Sequence, residues 1–160
     1  IDVAFLGLAQ TDRHGNVNVS KFSGRPVGCG GFINITQNAK KVVFCGTFTA
    51  GGLQIAVEAG RLKIVSEGKS RKFLDHVEQI TFSGHYAAGT GQTVLYVTER
   101  AVFRLTPEGV ELLEVAPGID IERDIVAHMD FPPIMRDVQL MDAGLFEAEW
   151  GRLAERVGGR

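Results

Sequence analysis

The sequence predicts one α/β domain with a mixed β-sheet and flanking helices. Its length of 160 residues fits a single domain with a sizeable core. Apolar runs typical of buried strands come early, alternating strands follow in the middle, and amphipathic helices come late. The sequence shows no internal repeat, low-complexity tract or clear linker, so residues 1–160 are interpreted as one domain.

The first third of the chain combines buried strands with glycine-rich loops. The apolar run at 2–9 is typical of a strand buried on both faces, and 41–46 predicts another. A short returning strand is predicted at 17–19, after a turn. Four glycines and a proline make 24–31 a loop, and a short helix is predicted at 32–39.

The middle of the chain is rich in strand patterns. Alternation on both sides of Ala59-Gly60 predicts a hairpin from 53 to 65. The polar residues 66–72 are expected to form a turn with Glu67 at a solvated tip. Ser83-Gly84-His85 is expected at a strand end. Further strands are predicted at 79–82, 94–98, 101–106 and 110–115.

Two late helices are predicted from caps and from apolar spacing. Asp120 can cap the first, which Pro132-Pro133 ends, and Asp142 can cap the second. Each predicted helix has an apolar face: Ile121, Ile125, Val126 and Met129 in the first, and Phe146, Trp150, Leu153 and Val157 in the second.

Composition narrows the possible partners and compartments. The net charge of -2 gives no reason to expect nucleic acid or an anionic membrane as a partner. The apolar runs are far shorter than the ~20 residues of a spanning helix. Cys29 and Cys45 are too few for a disulfide scaffold, so we expect free thiols and a cytoplasmic protein. The histidines and cysteines show no metal-ligand spacing, so no metal is predicted.

Three glycine-containing segments suggest a site built largely from the main chain, because glycine lets backbone N–H groups approach a ligand. They are Gly15-Asn16-Val17-Asn18, Gly28-Cys29-Gly30-Gly31-Phe32 and Thr49-Ala50-Gly51-Gly52. The second lacks the glycine or alanine of a dinucleotide fingerprint at Ile33, and it lacks the Gly-Lys-Ser/Thr of a phosphate loop. A sharp strand-to-helix turn remains an alternative for it. Glu99-Arg100, between two strands, is expected to pair or cap.

A series of segments in the same order resembles the family I coenzyme A transferases. The resemblance is to the propionate and acetate CoA-transferase subgroup, which is related to succinyl-CoA:3-ketoacid CoA-transferase. It covers about residues 1–142. The matching segments are 5–10, 15–20, 28–32, 41–44, 47–52, 96–103 and 116–120.

The resemblance implies a CoA-transferase-like fold and the C-terminal half of a two-half enzyme. In that family a glutamate attacks an acyl-CoA, forms a mixed anhydride, and then holds CoA as a glutamyl thioester that a second acid collects. That glutamate is expected in a Glu-x-Gly-type motif upstream of Ile1, and Glu67 does not match its position. The fragment alone is therefore expected to be inactive. Its expected partners are the N-terminal half, acyl-CoA and carboxylate substrates, and a second copy. Phe5, Leu6, Leu8 and the glycine loops are expected to face the half or the copy.

The resemblance also implies site residues. Related enzymes stabilise the oxyanion with an asparagine amide and a glycine N–H. By residue order these are Asn18 and Gly52, with Gly51 as the neighbouring possibility. The glycine loop would shape the thioester pocket through Gly28, Gly30, Gly31 and Phe32. CoA is then a substrate and the carried group, with no further cofactor. Two alternatives stay open: an acyl-CoA hydrolase with the same chemistry, and a non-catalytic domain that keeps the fold.

Overall fold

The β-strands of the chain differ widely in length. The computed structural model describes residues 1–149, 155, 157 and 158. In chain order the strands are β1 (Val3–Gly7), β2 (Gln10–Asp12), β3 (Val17–Asn18), β4 (Lys21–Phe22), β5 (Arg25–Pro26), β6 (Lys41–Cys45), β7 (Thr49–Ala50), β8 (Gln54–Glu58), β9 (Arg61–Ser66), β10 (Ser70–Arg71), β11 (Phe73–Leu74), β12 (Thr93–Val97), β13 (Ala101–Thr106), β14 (Gly109–Val115) and β15 (Ile134–Leu140).

The helices are short. They are α1 (Phe32–Asn38), α2 (Gly84–Gly89) and α3 (Ile121–Asp124), with 3₁₀ turns at Val126–His128 and Ala143–Phe146. Within the described residues, no helix has the length and apolar character to cross a bilayer.

The main sheet has six strands in the order β1-β6-β12-β13-β14-β15. β1, β6 and β12 are parallel, and Phe44 of β6 lies between Leu6 of β1 and Tyr96 of β12. β12, β13 and β14 form an antiparallel meander, and β15 adds in parallel to β14. The predicted mixed sheet is confirmed. Because β1, β6 and β12 run in one direction, their carboxyl ends meet at one edge of the sheet.

Aromatic rings fill the core on the sheet. Phe44 is fully buried and stacks on Tyr96, with ring centroids 5.6 Å apart. A second group lies near the carboxyl ends, where Phe48 stacks on Phe73 at 4.8 Å and Phe73 meets Phe103 at 4.9 Å. Such aromatic pairs contribute about 0.5–1.5 kcal/mol each beyond their buried area. The core therefore ties the strand ends firmly to the segments that follow them.

Two small ribbons continue from the carboxyl edge. β2 lies between β3 and β11, while β7 pairs with β10. β10 and β11 belong to one run, residues 70–74, which joins the ribbons. The backbone N–H of Thr11 donates to the carbonyl of Lys72, between them, at 2.8 Å. The hydroxyl of the buried Tyr96 donates to the carbonyl of Gly15 at 2.6 Å and anchors the β2–β3 turn on the sheet.

The hairpin β8–β9 forms as predicted. Its two turn residues, Ala59 and Gly60, have φ of 50° and 74°. Positive φ at both positions is the type I′ geometry that matches the twist of two short antiparallel strands. The predicted strands at 41–46, 94–98, 101–106 and 110–115 and the helix at 32–39 are also confirmed, within a residue or two of their observed bounds.

The first strand differs from the prediction. β1 is an edge strand, and Val3 and Phe5 are 41% and 69% exposed, so it is not buried on both faces. One face of the strand packs inward through Ala4 and the partly buried Leu6, while the other face is apolar but uncovered. Leu8 lies in the core at 4% exposure, which corrects its expected place on a partner-facing surface.

Two further elements differ from the prediction. Residues 79–82 make only an isolated bridge, between Val17 and Phe82, and do not form a strand. Ser83 is not at a strand end, because its hydroxyl accepts from the N–H of Tyr86 at 3.2 Å and caps α2. β15 was not predicted. Most of its residues are exposed, so the apolar signal of a strand is weak there.

The late caps are confirmed, but the helices are shorter than predicted. Asp120 accepts from the N–H of Arg123 at 2.8 Å and caps α3, which ends after one turn. Asp142 accepts from the N–H of Gly144 at 2.8 Å and caps the 3₁₀ turn at 143–146. Trp150 and Leu153 of the predicted second helix lie outside the described residues.

Candidate functional site

The segment 47–52 follows β6 at the carboxyl edge. Gly51 and Gly52 have φ of 80° and 96°, a conformation that other residues rarely adopt. Both glycines are exposed, and a Cβ on Gly52 would meet nothing within 4 Å. The carbonyl of Gly51 accepts from the N–H of Lys69 at 3.1 Å. The backbone at Gly52 is thus held on one side and open to a ligand on the other.

Asn18 lies fully buried at the end of β3. Its Nδ2 donates to Gln10 Oε1 at 2.6 Å and to the carbonyl of Lys21 at 2.7 Å. Its Oδ1 accepts from the N–H groups of Ser20 and Lys21 at 3.0 and 3.2 Å. Both amide hydrogens therefore already have partners, and the side chain holds the turn after β3. An oxyanion at Asn18 must replace one of these partners, and its catalytic role stays a prediction.

The glycine loop leads into α1. Gly28 and Gly30 are exposed with φ of 80° and 53°, and Gly31 is the residue that precedes the helix. Phe32 points into the core, where it is 8% exposed and its ring stacks on Phe44 at 5.7 Å. Of the four predicted residues, the three glycines therefore offer surface to a ligand and Phe32 does not. Their predicted role in CoA binding stays a prediction.

The run 70–74 connects the ribbons that carry Asn18 and Gly52. Ser70 pairs with Ala50, and Phe73 pairs with Thr11, which in turn pairs with Val17. The fold thus places Asn18 on one ribbon and Gly52 in the bend that follows a strand of the other.

The glycine loop lies toward the carboxyl edge. The N–H of Lys40, just after α1, donates to the carbonyl of Ile1 at the amino edge, so α1 begins toward the carboxyl edge.

Arg100 is the charged centre of this edge, and its side chain is fully buried. It forms a bidentate pair with Glu67 through Nη1–Oε2 at 2.7 Å and Nη2–Oε1 at 3.1 Å. Its Nε donates to Glu99 Oε1 at 2.6 Å, and Nη1 also donates to the carbonyl of Asp124 at 3.0 Å. The expected pairing of Glu99 with Arg100 is confirmed. The role of Glu67 as its second partner was missed.

Glu67 is therefore not a solvated loop tip. Burial alone would raise the pKa of Glu67, but hydrogen bonds from Arg100 and Thr49 and the charge of Arg100 lower it from 4.5 to about 2. A carboxylate held so firmly in its charged form is a weak nucleophile, because attack must release it from the guanidinium. The geometry agrees with the view that Glu67 does not initiate covalent catalysis.

Lys72 and His128 border the pair. Lys72 Nζ donates to the carbonyl of Thr47 at 2.8 Å. Burial lowers the pKa of Lys72, and the negative charge of Glu99 opposes that shift. His128 Nε2 lies 3.5 Å from Glu67 Oε2.

The sequence carried one signal for this cluster. Glu99-Arg100 interrupts the apolar run from Val94 to Phe103, and a charged pair inside such a run indicates buried, mutually satisfied charges. No comparable signal in the sequence marks Glu67 as the partner.

Apart from the predicted site residues, the described part of the chain has a cleft but no metal-ligand cluster. Within the described residues, no group of three or more His, Cys, Asp or Glu could hold a metal ion. A cleft of about 600 Å³ lies beside β8 and β9 and is lined by residues such as Arg61, Lys63 and Arg123. None of the predicted site residues lines it. Cys29 and Cys45 are free thiols, as expected, and partial burial raises the pKa of Cys45.

The chain is similar in sequence to CoA-transferases. It is 51% identical over 164 residues to the caffeate CoA-transferase of Acetobacterium woodii, covering 99% of this chain and 31% of that protein. It is 48% identical over 147 residues to the acetate CoA-transferase YdiF of Escherichia coli K12, covering 91% of this chain and 28% of that protein. The chain thus spans less than a third of the length of these relatives. No protein-family model matches it.

The chain is also similar in fold to solved structures of CoA-transferases. The chain superposes on the YdiF thioester complex with CoA from Escherichia coli O157:H7 with a TM-score of 0.91 at 47% identity, covering 94% of this chain and 30% of that one. Glutaconate CoA-transferase from Acidaminococcus fermentans gives 0.66 at 18% identity, covering 96% and 56%. The decarboxylase AibA/AibB gives 0.65 at 17% identity, covering 98% and 56%. The last two show likeness of fold alone.

Proposed function

We propose that the complete protein transfers CoA, because the chain is about half identical in sequence to segments of two CoA-transferases and has the fold of the matching part of YdiF. The complete protein moves CoA between a short-chain acyl-CoA and a free carboxylic acid. The observation that carries the proposal is the 47% identity and TM-score of 0.91 to YdiF, a structure in thioester complex with CoA. Fold alone would not carry it, since a decarboxylase has a similar fold.

The proposed reaction proceeds in balanced acyl-transfer steps. A glutamate upstream of Ile1, outside this chain, attacks the thioester carbonyl of the acyl-CoA. CoA leaves as a thiolate, and an acyl-glutamyl anhydride forms. The thiolate then attacks the glutamyl carbonyl, which releases the first carboxylate and leaves a glutamyl-CoA thioester. The second carboxylate attacks that thioester and receives CoA by the reverse sequence.

In this proposal the present chain supplies the oxyanion donors and the backbone of the thioester pocket. Gly52 donates its N–H, and its open surroundings and positive φ support that role. Gly51 is the alternative donor at this turn. Asn18 donates from the neighbouring ribbon after exchanging one of its present partners. Fixed donors around a developing oxyanion lower the barrier by about 3 kcal/mol each.

The proposal includes partners and a compartment. The N-terminal half of the same enzyme would complete the active site. A second copy is proposed as a further partner, and the exposed apolar side chains of β1 support contact with another surface. Two free thiols fit a reducing cytoplasm.

Product analysis of the complete protein tests the proposed function. With propionyl-CoA and acetate, we expect acetyl-CoA and propionate in equal amounts, without free CoA. If free CoA accumulates equally with and without acetate, the protein is an acyl-CoA hydrolase. If neither acetyl-CoA nor free CoA forms, the protein is a non-catalytic domain that keeps the fold.

Two further measurements locate the chemistry. The 160-residue chain alone should show no turnover, and turnover by it would contradict the placement of the nucleophile. Hydroxylamine added to the complete protein with acyl-CoA should modify a glutamate outside this chain. Modification at Glu67 or Glu99 would overturn the assignment.

A further inference from the structure

We propose that Arg100 is a positioning residue that fixes the backbone conformation of Gly51 and Gly52. It does so by binding Glu67 and Glu99, which hold Thr49 and Phe48, the residues just before the two glycines. The inference rests on the proposed function, in which that backbone faces the oxyanion. It adds a residue that lies outside the glycine motifs and that is not itself placed at the reacting atoms.

The first arm runs through Glu67. The Arg100 fork holds both oxygens of this carboxylate, at 2.7 and 3.1 Å. The hydroxyl of Thr49 donates to Glu67 Oε1, and the N–H of Gly68 donates back to that hydroxyl at 3.1 Å. Thr49 is buried and lies two residues before Gly51. A shift of the guanidinium would therefore move Glu67 and, through it, Thr49 of β7, the strand that leads directly into the glycine turn.

The second arm runs through Glu99. One oxygen of Glu99 accepts from Arg100 Nε at 2.6 Å, and the other accepts from the backbone N–H of Phe48 at 2.8 Å. The guanidinium also lies over the Phe48 ring, 4.8 Å from its centroid. Phe48 is fully buried against Phe73. Successive residues, Phe48 and Thr49, are thus tied to one cation by two carboxylates.

Contacts on both sides complete the restraint of the segment. Lys72 Nζ holds the carbonyl of Thr47, and the N–H of Lys69 holds the carbonyl of Gly51. With the pairing of Ala50 and Ser70, every residue of 47–51 is restrained before the chain reaches the open Gly52.

A planar guanidinium suits this task better than an ammonium. Its donors leave in fixed directions, so two carboxylates bound to it take fixed positions relative to each other. A fully buried charge is costly unless it is satisfied, and an apolar side chain of similar size often stabilises a core equally well. The buried Arg100 pairs are therefore explained better by a requirement for a fixed backbone conformation at 47–52 than by their contribution to stability alone.

The test uses the complete protein with Arg100→Lys, which keeps the charge but loses the fork. We expect kcat to fall on the order of a hundredfold, the loss typical of about 1 Å of misplacement, while KM changes little. Amide hydrogen exchange in the peptide 47–53 should become faster in the same variant, because its anchors are loosened.

The matched control is Arg104→Lys, from the neighbouring strand β13. Arg104 is half-exposed, and its Nε donates to Glu111 Oε2 at 2.7 Å, on a strand that does not pair with 47–52. Its kcat and its exchange in 47–53 should equal those of the unchanged protein. A comparable loss in this control would show that any lost ion pair near the sheet has the same effect, and would overturn the proposal.

Thr49→Val covers the case in which Arg100 variants fail to fold. It removes only the hydroxyl that links Glu67 to the segment, so the buried ion pairs remain. We expect a smaller loss of kcat, about tenfold, with faster exchange in 47–53. The effects of Arg100→Lys or Thr49→Val and of Gly52→Ala should combine to less than their product, because they act on one backbone.

The outcomes separate this inference from the proposed function. An unchanged protein that transfers no CoA overturns the proposed function, while the exchange measurement still reports on the anchoring. An active protein whose folded variants keep normal kcat and normal exchange overturns only the role of Arg100. Fully multiplicative effects with Gly52→Ala would also overturn it.

Discussion

Gly52 combines a backbone conformation that disfavours side chains with open space where a side chain would go. In the complete protein, Gly52→Ala should lower kcat by orders of magnitude, while the positive φ costs only about 1 kcal/mol of folding free energy. The urea midpoint and single-turnover thioester formation, measured on one preparation, separate these effects. A shifted midpoint with normal chemistry in the folded fraction would remove Gly52 from the site.

Gly91 offers a matched control for that substitution. Its φ is 70°, and a Cβ there would also meet nothing within 4 Å. It lies between α2 and β12, at the amino edge of the sheet and away from the proposed site. Gly91→Ala should therefore cost similar stability and leave kcat unchanged.

Asn18 is expected to matter for both stability and chemistry. Asn18→Ala removes four hydrogen bonds from a buried turn, and the complete protein should lose roughly 1–3 kcal/mol of stability. If the amide also serves the oxyanion, kcat of the folded fraction falls by about a hundredfold with KM little changed.

Asn16 is the control for Asn18, because it is also buried and hydrogen-bonded. It donates to Asp12 Oδ2 at 3.1 Å and accepts from the N–H of Gly84 at 2.9 Å. Asn16→Ala should destabilise the protein to a similar degree without a comparable loss of kcat. Equal kcat in the folded fractions of the two variants would leave Asn18 as a turn residue.

At the scale of elements, Glu67 links β9, β7 and the start of β13 through one carboxylate. Its pKa is about 2 in the folded protein and near 4.5 when unpaired. A lowered folded pKa stabilises the protein above pH 4.5, and this contribution is lost as the pH falls toward 2. The full difference corresponds to at most about 3 kcal/mol.

Urea unfolding between pH 7 and 2.5 tests this contribution. The free energy of unfolding of the unchanged chain should fall more steeply below pH 4.5 than that of Glu67→Gln, which has no carboxyl group to titrate there. Other carboxylates titrate in both proteins, so the difference between the two curves isolates Glu67. Parallel curves would show that the pair with Arg100 does not stabilise the fold.

Elements with strong periodicity could be predicted from the sequence, and the others could not. In β8 and β9, apolar and polar residues alternate on both sides of a turn that tolerates positive φ. In the meander β12–β14, apolar residues recur at regular intervals. α2 has fewer than two turns and a glycine at each end, so its local signal is weak. β15 is recognised only through its partner β14, because pairing at a sheet edge stabilises even a strand of mostly exposed residues.

The candidate site divides in the same way. The glycine segments are visible in the sequence because their backbone conformation demands a residue type. The Arg100–Glu67 pair is not visible, because its members are 33 residues apart and lie in different loops, one after β9 and one between β12 and β13. Contacts of this kind depend on topology and leave no local pattern.

At the scale of the molecule, one apolar edge is left uncovered. Ile1, Val3 and Phe5 are 62%, 41% and 69% exposed. We therefore expect the purified chain to form dimers or larger species at micromolar concentration, because an uncovered apolar edge strand favours association. Sedimentation velocity measures this directly.

Phe5→Lys should shift the chain toward monomer, whereas Tyr86→Lys, at an exposed aromatic residue of α2, should not. A cleanly monomeric and cooperatively folded chain would show that the β1 edge needs no partner.

The strand order of the main sheet has a consequence for how the chain folds. In the meander, Val97 pairs with Val102, close in sequence, whereas the parallel pairs join Val3 with Lys41 and Lys41 with Thr93. Closing a long loop costs more entropy than closing a short one, and that cost precedes any gain from contact. The meander should therefore act as the folding nucleus, and the parallel pairs of β1 with β6 and of β6 with β12 should form later. The carboxyl edge that carries the proposed site needs all three parallel strands, so it is then the final part of the molecule to become native.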